Sequence, residues 1–472
     1  MKSIILTIFD FFLRIVSKVK AWFDAIDNQA YKENILHAIP FWVGAFLTGL
    51  TAVFYAKLFA LAELGTAYLF GLVDWIFFII TPLCFFASWW VVNTFAPSAR
   101  GSGIPQVSAA IELCTDNKKS KLSSLLSLRI ILIKIISSMI MVLGGGVIGR
   151  EGPTIQISAS IFKIINDLLP EWYPRVSKRN MIVTGAAAGL AAAFNTPLGG
   201  IVFAIEELTK VHFSHFKSAL LVGVIISGLT ALNILGPYLY LGYPQLGDLS
   251  LYMIFFVIPV AVISGSAGSG MGRTILWIFN KKRTFTWKYA SILYPLFMGL
   301  IIASLGYFIS YDVFGSGKDI MVTSLFTDDK HLEWYVPILR LIGPIVSFSN
   351  GASGGIFAPS LSAGASIGAV VSGWMQLSAS QTNLMILCGM TGCLTGITRS
   401  PFTSSILVIE MTNSHNIIFH LMLSALVANI ISGFVSKKSF YDHLRDHYIN
   451  EIRQKEQIES SKGIQLNVNP LP

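Results

Sequence analysis

The chain has 472 residues, of which 53% are hydrophobic and only 12% are charged. Because soluble domains carry about 25% charged residues, this composition excludes a surface that mostly faces water and predicts a protein embedded in lipid. The formal net charge of +9 comes from basic clusters between apolar stretches, which is the pattern of cytoplasmic loops, and no basic domain interleaved with aromatic residues supports nucleic-acid binding.

Residues 1–34 form the first predicted segment, and its apolar N-terminal stretch resembles a signal peptide. Asp10 and Arg14 interrupt the apolar stretch, and no small-residue cleavage site follows it. We therefore expect an amphipathic N-terminal helix that lies on the cytoplasmic surface of the membrane.

Apolar runs then recur along the chain, and several are long enough for a spanning helix, which needs about 20 residues. These runs cover residues 37–62, 67–95, 218–242, 289–312 and 417–436. The segments 355–367 and 402–412 are too short, or too rich in glycine and proline, to cross the bilayer alone, so they predict re-entrant or broken helices. The sequence thus predicts an all-α polytopic membrane protein, with a tail too short for a further cytoplasmic domain.

An internal repeat is visible when residues 184–207 are placed over residues 388–411. The alignment pairs Gly185 with Gly389, Leu190 with Leu394, Pro197 with Pro401, Ile205 with Ile409 and Glu206 with Glu410. The repeat predicts two structurally related halves, as in many transporters, with the substrate site where the two halves meet.

Three clusters of glycine and proline each precede an apolar stretch. They are Gly101-Ser102-Gly103-Ile104-Pro105, Gly149-Arg150-Glu151-Gly152-Pro153 and Gly355-Ile356-Phe357-Ala358-Pro359. Proline is favoured in the first turn of a helix, so each cluster predicts a helix N-terminus, where free N–H groups and a partial positive charge face outward. One such cluster is usually a kink or a loop. Three of them, two related by the repeat, favour a site for a desolvated anion.

The motifs GSGIP, GREGP and GIFAP, in this order, resemble the selectivity-filter motifs of the CLC family of chloride channels and chloride/proton antiporters. The resemblance covers residues 35–450 and implies a transmembrane domain of two inverted repeats, approximately 35–245 and 246–450, built from tilted and partly re-entrant helices. It also implies a homodimer with a separate pathway in each subunit, located in the cell (inner) membrane. Residues 451–472 form a short cytoplasmic tail, as in prokaryotic members without regulatory domains.

The resemblance implies four anion-binding positions. Ser102 resembles the filter serine whose hydroxyl donates to the anion, and Ile356 and Phe357 resemble the positions whose backbone amides face it. Tyr441 resembles the tyrosine whose hydroxyl closes the inner side of the site, with Tyr448 as a rival. Taken alone, these residues would indicate a turn, core packing or an interfacial anchor.

A carboxylate buried at membrane depth is expected to have a function, because burying it costs at least about 2.5 kcal/mol. Glu151 resembles the gating glutamate, which replaces the anion when ionised and swings away when protonated. Glu207 resembles the inner proton glutamate of the antiporters, whereas for Glu206 we favour a structural role. Lys134 and Arg340 are expected to offset buried negative charge.

The resulting expectation is a proton-coupled chloride antiporter that needs no cofactor or metal and binds no nucleic acid. A passive voltage- or proton-gated chloride channel is the alternative, and a fluoride-selective relative fits the standard filter motifs less well. An enzyme is disfavoured because no acid, base and nucleophile form a recognisable constellation. The four cysteines contain no CxxC pair.

Overall fold

A computed structural model describes residues 29–114, 119–209, 217–236, 239–247, 252–284, 289–327, 330 and 332–467. The amphipathic helix predicted for residues 1–34 lies almost entirely outside these ranges, so it stays a prediction. Within the described ranges the regular structure is helical apart from two isolated β-bridges.

The helices of the first half are α1 (Gln29–Leu72), α2 (Phe77–Phe95), α3 (Ile104–Leu113), α4 (Lys119–Leu125), α5 (Leu128–Leu143), α6 (Glu151–Leu168), α7 (Lys178–Phe194), α8 (Pro197–Phe203) and α9 (Lys217–Leu235). A π-helical turn, Ala204–Thr209, continues α8. The helices of the second half are α10 (Met253–Lys282), α11 (Ala290–Phe308), α12 (Lys318–Phe326), α13 (Val336–Ser349), α14 (Phe357–Trp374), α15 (Ala379–Thr398), α16 (Pro401–Thr412), α17 (Ile418–Val435) and α18 (Phe440–Asn467).

Seven helical segments of the described chain are long and apolar enough to cross a membrane. Phe255 on α10, Phe308 on α11, and Phe419 and Phe434 on α17 are at least 74% exposed, which suits a surface covered by lipid rather than water. The apolar run over residues 67–95 contains a candidate span, α2, but is not one helix, because α1 ends at Leu72 and α2 begins at Phe77. Val73 between them has an extended backbone, with φ −154° and ψ 125°, which breaks the helical hydrogen-bond ladder.

Two three-helix units repeat the same backbone path: α6, α7 and α8 in the first half, and α14, α15 and α16 in the second. The helix α7 ends at Asn195 with φ 57°, and α15 ends at Arg399 with φ 58°, both left-handed. The following residues, Thr196 and Ser400, also match, with φ −127° and −117° and ψ 81° and 79°. The aligned residues of the sequence repeat therefore share the same backbone conformation at this turn.

The segment 402–412, expected to be too short to span, belongs to α16, which has 12 residues. At 1.5 Å per residue such a helix covers about 18 Å, well under the roughly 30 Å hydrocarbon core. The helix α14 has 18 residues, and its first 16 are buried within the protein. Short and buried helices thus bring chain ends to the interior, where the glycine-rich motifs lie.

Candidate functional site

Each of the three motifs stands at the start of a helix, as the sequence predicts. The helix α3 begins at Ile104, α6 at Glu151 and α14 at Phe357. At the start of α3, Gly103 has φ +100°, and a Cβ added there would lie 2.7 Å from the Cβ of Gln156. Only glycine allows this turn without strain, because other L-residues rarely adopt such a backbone.

Backbone hydrogen bonds join the three motif loops. Gly149 and Gly355, which occupy the same place in the two repeats, form an antiparallel bridge with N–H···O distances of 2.8 and 2.7 Å. The GSGIP loop joins them through Gly101, whose N–H donates to Ala352 O at 2.8 Å and whose carbonyl accepts from Gly354 N at 3.1 Å. The helix N-termini are therefore held in one cluster.

The Ser102 side chain lies against the start of α6, since a Cβ added at Gly152 would clash with the Ser102 hydroxyl. Ser102 Oγ, Tyr441 OH and Glu151 Oε2 are among the buried polar atoms that have no hydrogen-bond partner among the described residues. All three residues are at most 2% exposed. The Tyr441 hydroxyl lies close enough to interact with the Ser102 side chain and, electrostatically, with Glu151. Because a buried polar atom without a partner costs about 1–3 kcal/mol, this arrangement suits a polar ligand that the two hydroxyls could bind.

The two tyrosines that compete for the inner position differ in their partners. The Tyr448 hydroxyl accepts hydrogen bonds from Arg100 Nε at 3.1 Å and from Gln106 Nε2 at 3.0 Å. The Tyr441 hydroxyl has no such partner among the described residues and lies near Ser102. The geometry favours Tyr441.

Ile356 and Phe357 are each 1% exposed and form the start of α14. The ring of Phe357 packs 6.1 Å from the ring of Tyr441 and 6.4 Å from that of Phe203, measured between centroids. The first turn of α14 therefore lies beside Tyr441, where its N–H groups would favour an anion.

Glu151 is the first residue of α6 and is 1% exposed. The Tyr240 hydroxyl donates a long hydrogen bond of 3.4 Å to Glu151 Oε1. Sequence reasoning missed Tyr240, which lies between α9 and α10 and belongs to no motif. The carboxylate is thus held loosely on one oxygen at the positive end of a helix.

Glu207 lies in the π-helical turn after α8 and is 5% exposed. Its Oε2 accepts a hydrogen bond of 2.7 Å from Ser400 Oγ. A narrow gap beside Glu207 is lined by Ser400, Phe203 and Phe357. Phe357 also packs on Tyr441, so its side chain contacts both this gap and the proposed inner closure of the anion site.

Glu206 points elsewhere. Its carboxylate accepts hydrogen bonds from Phe402 N at 3.2 Å and Thr403 N at 2.7 Å, at the start of α16. Its repeat partner, Glu410, does the same for α8, accepting from Leu198 N at 3.0 Å and Gly199 N at 2.6 Å. The two glutamates cap each other's helix, which gives Glu206 the structural role favoured from the sequence.

The expectation that Lys134 offsets buried negative charge is not supported, because its hydrogen-bond partners are carbonyls. Lys134 Nζ donates to Ala99 O and Gly101 O, both at 3.0 Å. Arg340 donates to the carbonyls of residues 312–315 at 3.0 to 3.3 Å, while Asp312, Asp319 and Glu63 act on it electrostatically. Both cations hold loops in place, and the loop held by Lys134 carries Ser102.

A cavity of about 820 Å³ leads from the protein surface to Ser102. Its described lining contains no aspartate or glutamate, and its basic members are Arg100, Arg273, Lys282, Arg283, Arg399 and Lys438. Glu451 and Asp446, outside the lining, pair with Arg100 and Lys438 at 2.6 and 2.7 Å. A cleft of one charge sign raises the local concentration of oppositely charged ions, so this cavity attracts anions.

His447 also lines the cavity and adds little to its charge at neutral pH. Burial, together with the nearby guanidinium groups of Arg283 and Arg100, holds the pKa of His447 below its usual range. The positive charge of the cavity therefore comes from arginine and lysine, which keep their charge over the physiological pH range.

Comparison with known proteins gives the class of this fold and site. Residues 83–433 match the family described as voltage gated chloride channel. The chain therefore belongs to the CLC family and is a multi-pass membrane protein of a transporter family, not an enzyme.

Its curated relatives include bacterial exchangers. The chain is 29% identical over 382 residues to the H(+)/Cl(-) exchange transporter ClcA of Cronobacter sakazakii, covering 77% of this chain and 78% of the relative. It is 28% identical over 377 residues to the protein of the same name from Salmonella newport, covering 77% of each.

Solved structures share the fold. A slow cyanobacterial Cl-/H+ antiporter superposes with a TM-score of 0.76 at 23% identity, covering 88% of this chain and 98% of that one. A CLC-type fluoride/proton antiporter superposes with a TM-score of 0.73 at 20% identity, with the same coverage. At these identities the structural similarity establishes the all-helical architecture. It does not identify the transported ion, which has to be inferred from the residues of the site.

Proposed function

We propose that this protein exchanges chloride for protons across the cell membrane. The observation that carries the proposal is a pair of buried carboxylates, Glu151 and Glu207, both close enough to Tyr441 to act on its hydroxyl. A passive anion pathway has no need of a second buried carboxylate, which is costly at membrane depth. A proton carrier needs such groups along its route.

The anion-binding part of the proposal rests on donors that carry no full charge. Ser102 and Tyr441 supply hydroxyls, and the first turn of α14 supplies the backbone N–H groups of Ile356 and Phe357. The surrounding filter residues, Gly101, Gly103, Ile104, Pro105, Gly149, Arg150, Gly152, Pro153, Gly355, Ala358 and Pro359, shape the loops. An anion held by partial charges and hydroxyls can leave again, as transport requires.

Glu151 is proposed as the gate. When ionised, its carboxylate is attracted to the positive helix ends and competes with chloride for them. When protonated, it loses that attraction, moves away and carries its proton with it. Chloride and the ionised Glu151 carboxylate thus occupy the same position alternately. Glu207 exchanges protons with the solution on the side of the membrane where the basic cavity opens.

Arg399, next to Ser400, lines the basic cavity and binds the carbonyls of Ser436 and Lys437. We therefore place Ser400 and Glu207 toward that side. By the positive-inside rule this side is cytoplasmic, since Lys281, Lys282, Lys437 and Lys438 cluster there. The exchangers among the curated relatives support the exchange of chloride for protons, and the passive chloride channel is the alternative function.

The domain organisation proposed is one transmembrane domain over residues 35–450 with two inverted repeats. The antiparallel bridge between Gly149 and Gly355 and the reciprocal caps of Glu206 and Glu410 support the inversion, because both place equivalent residues around a local twofold. We further propose a homodimer, which light scattering of the detergent-solubilised protein tests. A mass of one subunit would contradict it.

The function is tested by recording chloride and proton flux together in liposomes. Glu207→Gln keeps the side chain's shape but cannot ionise, so proton flux should collapse while chloride flux continues. Glu206→Gln is the matched control and should retain coupling, because its carboxylate caps a helix. Uncoupling by the Glu206 change alone would reverse the assignment of the pair, and proton flux unaffected by Glu207→Gln would remove Glu207 from the route.

A further inference from the structure

We propose that Ser400, at the start of α16, is a positioning residue that orients Glu207 and sets the pH at which Glu207 takes up a proton. The inference rests on the proposed role of Glu207 in proton transfer. It assigns a function to a residue of the second repeat that lies outside all three filter motifs.

Ser400 is 2% exposed and precedes the first residue of α16. Its hydroxyl donates to Glu207 Oε2 at 2.7 Å, the distance of a strong hydrogen bond to a carboxylate. Its own N–H donates to Thr398 Oγ1 at 3.2 Å. Backbone and side chain of Ser400 are thus both fixed, and the hydroxyl has a defined direction.

The turn that carries Ser400 is anchored by the glutamate next to Glu207. Glu206 accepts from Thr403 N and from Thr403 Oγ1, both at 2.7 Å. Glu206 and Glu207 are consecutive residues of one π-helical turn, so the first turn of α16 binds two adjacent carboxylates of the other repeat. Glu206 holds the two elements together, and Ser400 orients the carboxylate that takes part in transport.

Other ionisable groups lie on the described elements that contact the π-helical turn, next to Ser400, or close enough to interact electrostatically with Glu207. They are Lys178 and Arg179 at the start of α7, Glu206 on the turn itself, Arg399 before α16 and Tyr441 on α18. The proposed test leaves all of them unchanged. A difference between variants at position 400 therefore reports the hydroxyl.

A hydroxyl that donates to a carboxylate stabilises the ionised form relative to the protonated form. Removing the donor should make Glu207 bind a proton more readily. For a charge-assisted hydrogen bond the expected change is about one pH unit or more. The midpoint of proton flux against pH, measured on the side that Glu207 faces, should therefore move to higher pH in Ser400→Ala.

The experiment compares wild type, Ser400→Ala, Ser400→Thr and Ser404→Ala in liposomes, with calorimetry of chloride binding on the same preparations. Ser404 is the matched control, since it lines the same gap but donates to a backbone carbonyl, Ser400 O at 2.9 Å. We expect the midpoint to move by about one pH unit in Ser400→Ala only. Ser400→Thr should have the wild-type midpoint, because threonine keeps the hydroxyl. Chloride affinity should be equal in all four proteins.

Two results would overturn the inference. One is an unshifted midpoint in Ser400→Ala, although Glu207→Gln abolishes proton flux, which leaves the proposed function intact. The other is an equal shift in Ser404→Ala, which would mean that any repacking of the gap changes the midpoint. Failure of the proposed function itself is distinguished separately, since Glu207→Gln would then leave proton flux unchanged.

Discussion

At the residue scale, the described site combines uncharged hydrogen-bond donors with two buried carboxylates, Glu151 and Glu207, each of which accepts a hydrogen bond from a hydroxyl. Ser102 and Tyr441 supply hydroxyls. The ammonium group of Lys134, which binds the loop that carries Ser102, donates its hydrogen bonds to the carbonyls of Ala99 and Gly101. This separation of the lysine from the proposed anion site has a physical reason. A full positive charge in contact with the anion would bind it too strongly for transport. Bound to backbone carbonyls instead, the Lys134 ammonium group stabilises the loop that carries Ser102.

Removing either hydroxyl should weaken chloride binding. Ser102→Ala and Tyr441→Phe each lose one hydrogen bond to a charged ligand, so we expect a loss of about 1–3 kcal/mol in binding free energy, measured by calorimetry. Tyr448→Phe and Ser360→Ala are the controls, because those hydroxyls have other partners. Unchanged affinity in both Ser102→Ala and Tyr441→Phe would remove them from the site.

Sequence reasoning reached Ser102 through its motif and Tyr441 through the family resemblance, and it missed residues that contact the buried glutamates. Tyr240 and Ser400 were not identified because the glutamates they bind are distant in sequence, 89 and 193 residues away. One signal was available for Ser400. It is the residue before a proline that begins a helix, and its repeat partner, Thr196, is also a hydroxyl residue.

At the element scale, the repeat is held together by helix ends. Glu206 caps α16 and Glu410 caps α8, so each half of the chain satisfies N–H groups of the other. The sequence aligned the two glutamates but could not show that each reaches across to the other's helix. That exchange depends on how the repeats pack, which periodicity does not encode.

Removing one of these caps should destabilise the protein. Glu410→Ala loses two charge-assisted hydrogen bonds to backbone N–H groups, and we expect a loss of about 1–3 kcal/mol in unfolding free energy, read from thermal or denaturant unfolding in detergent. Glu171→Ala, an exposed glutamate, is the control. Equal stability of the two variants would argue that the caps contribute nothing to the fold.

Helix positions were predicted more reliably than helix boundaries. The three motifs mark helix starts, as proline and glycine placement indicates. The apolar run over residues 67–95 failed as one span because hydropathy cannot detect a single extended residue such as Val73.

At the scale of the whole molecule, three helix starts from separate parts of the chain are joined by backbone hydrogen bonds, and one of them, the GSGIP loop, lines a basic cavity. The cavity was not predictable from sequence, because its six basic residues come from several segments and each alone resembles a loop charge. Together they give anions an attractive route to Ser102. In the proposed mechanism, the cavity concentrates anions, and hydroxyls, backbone N–H groups and the Glu151 carboxylate act on them beyond it.

The most direct test of proton-coupled exchange uses liposomes with a pH probe and a chloride electrode. In wild-type vesicles a chloride gradient should drive protons uphill, and a proton gradient should drive chloride, because independent leaks cannot move an ion against its own gradient. In Glu151→Gln, which resembles the protonated side chain permanently, chloride flux should continue without coupled protons. Failure of the wild type to pump protons would contradict the account and favour a passive channel, and pumping that persists in the variant would show that Glu151 is not the gate.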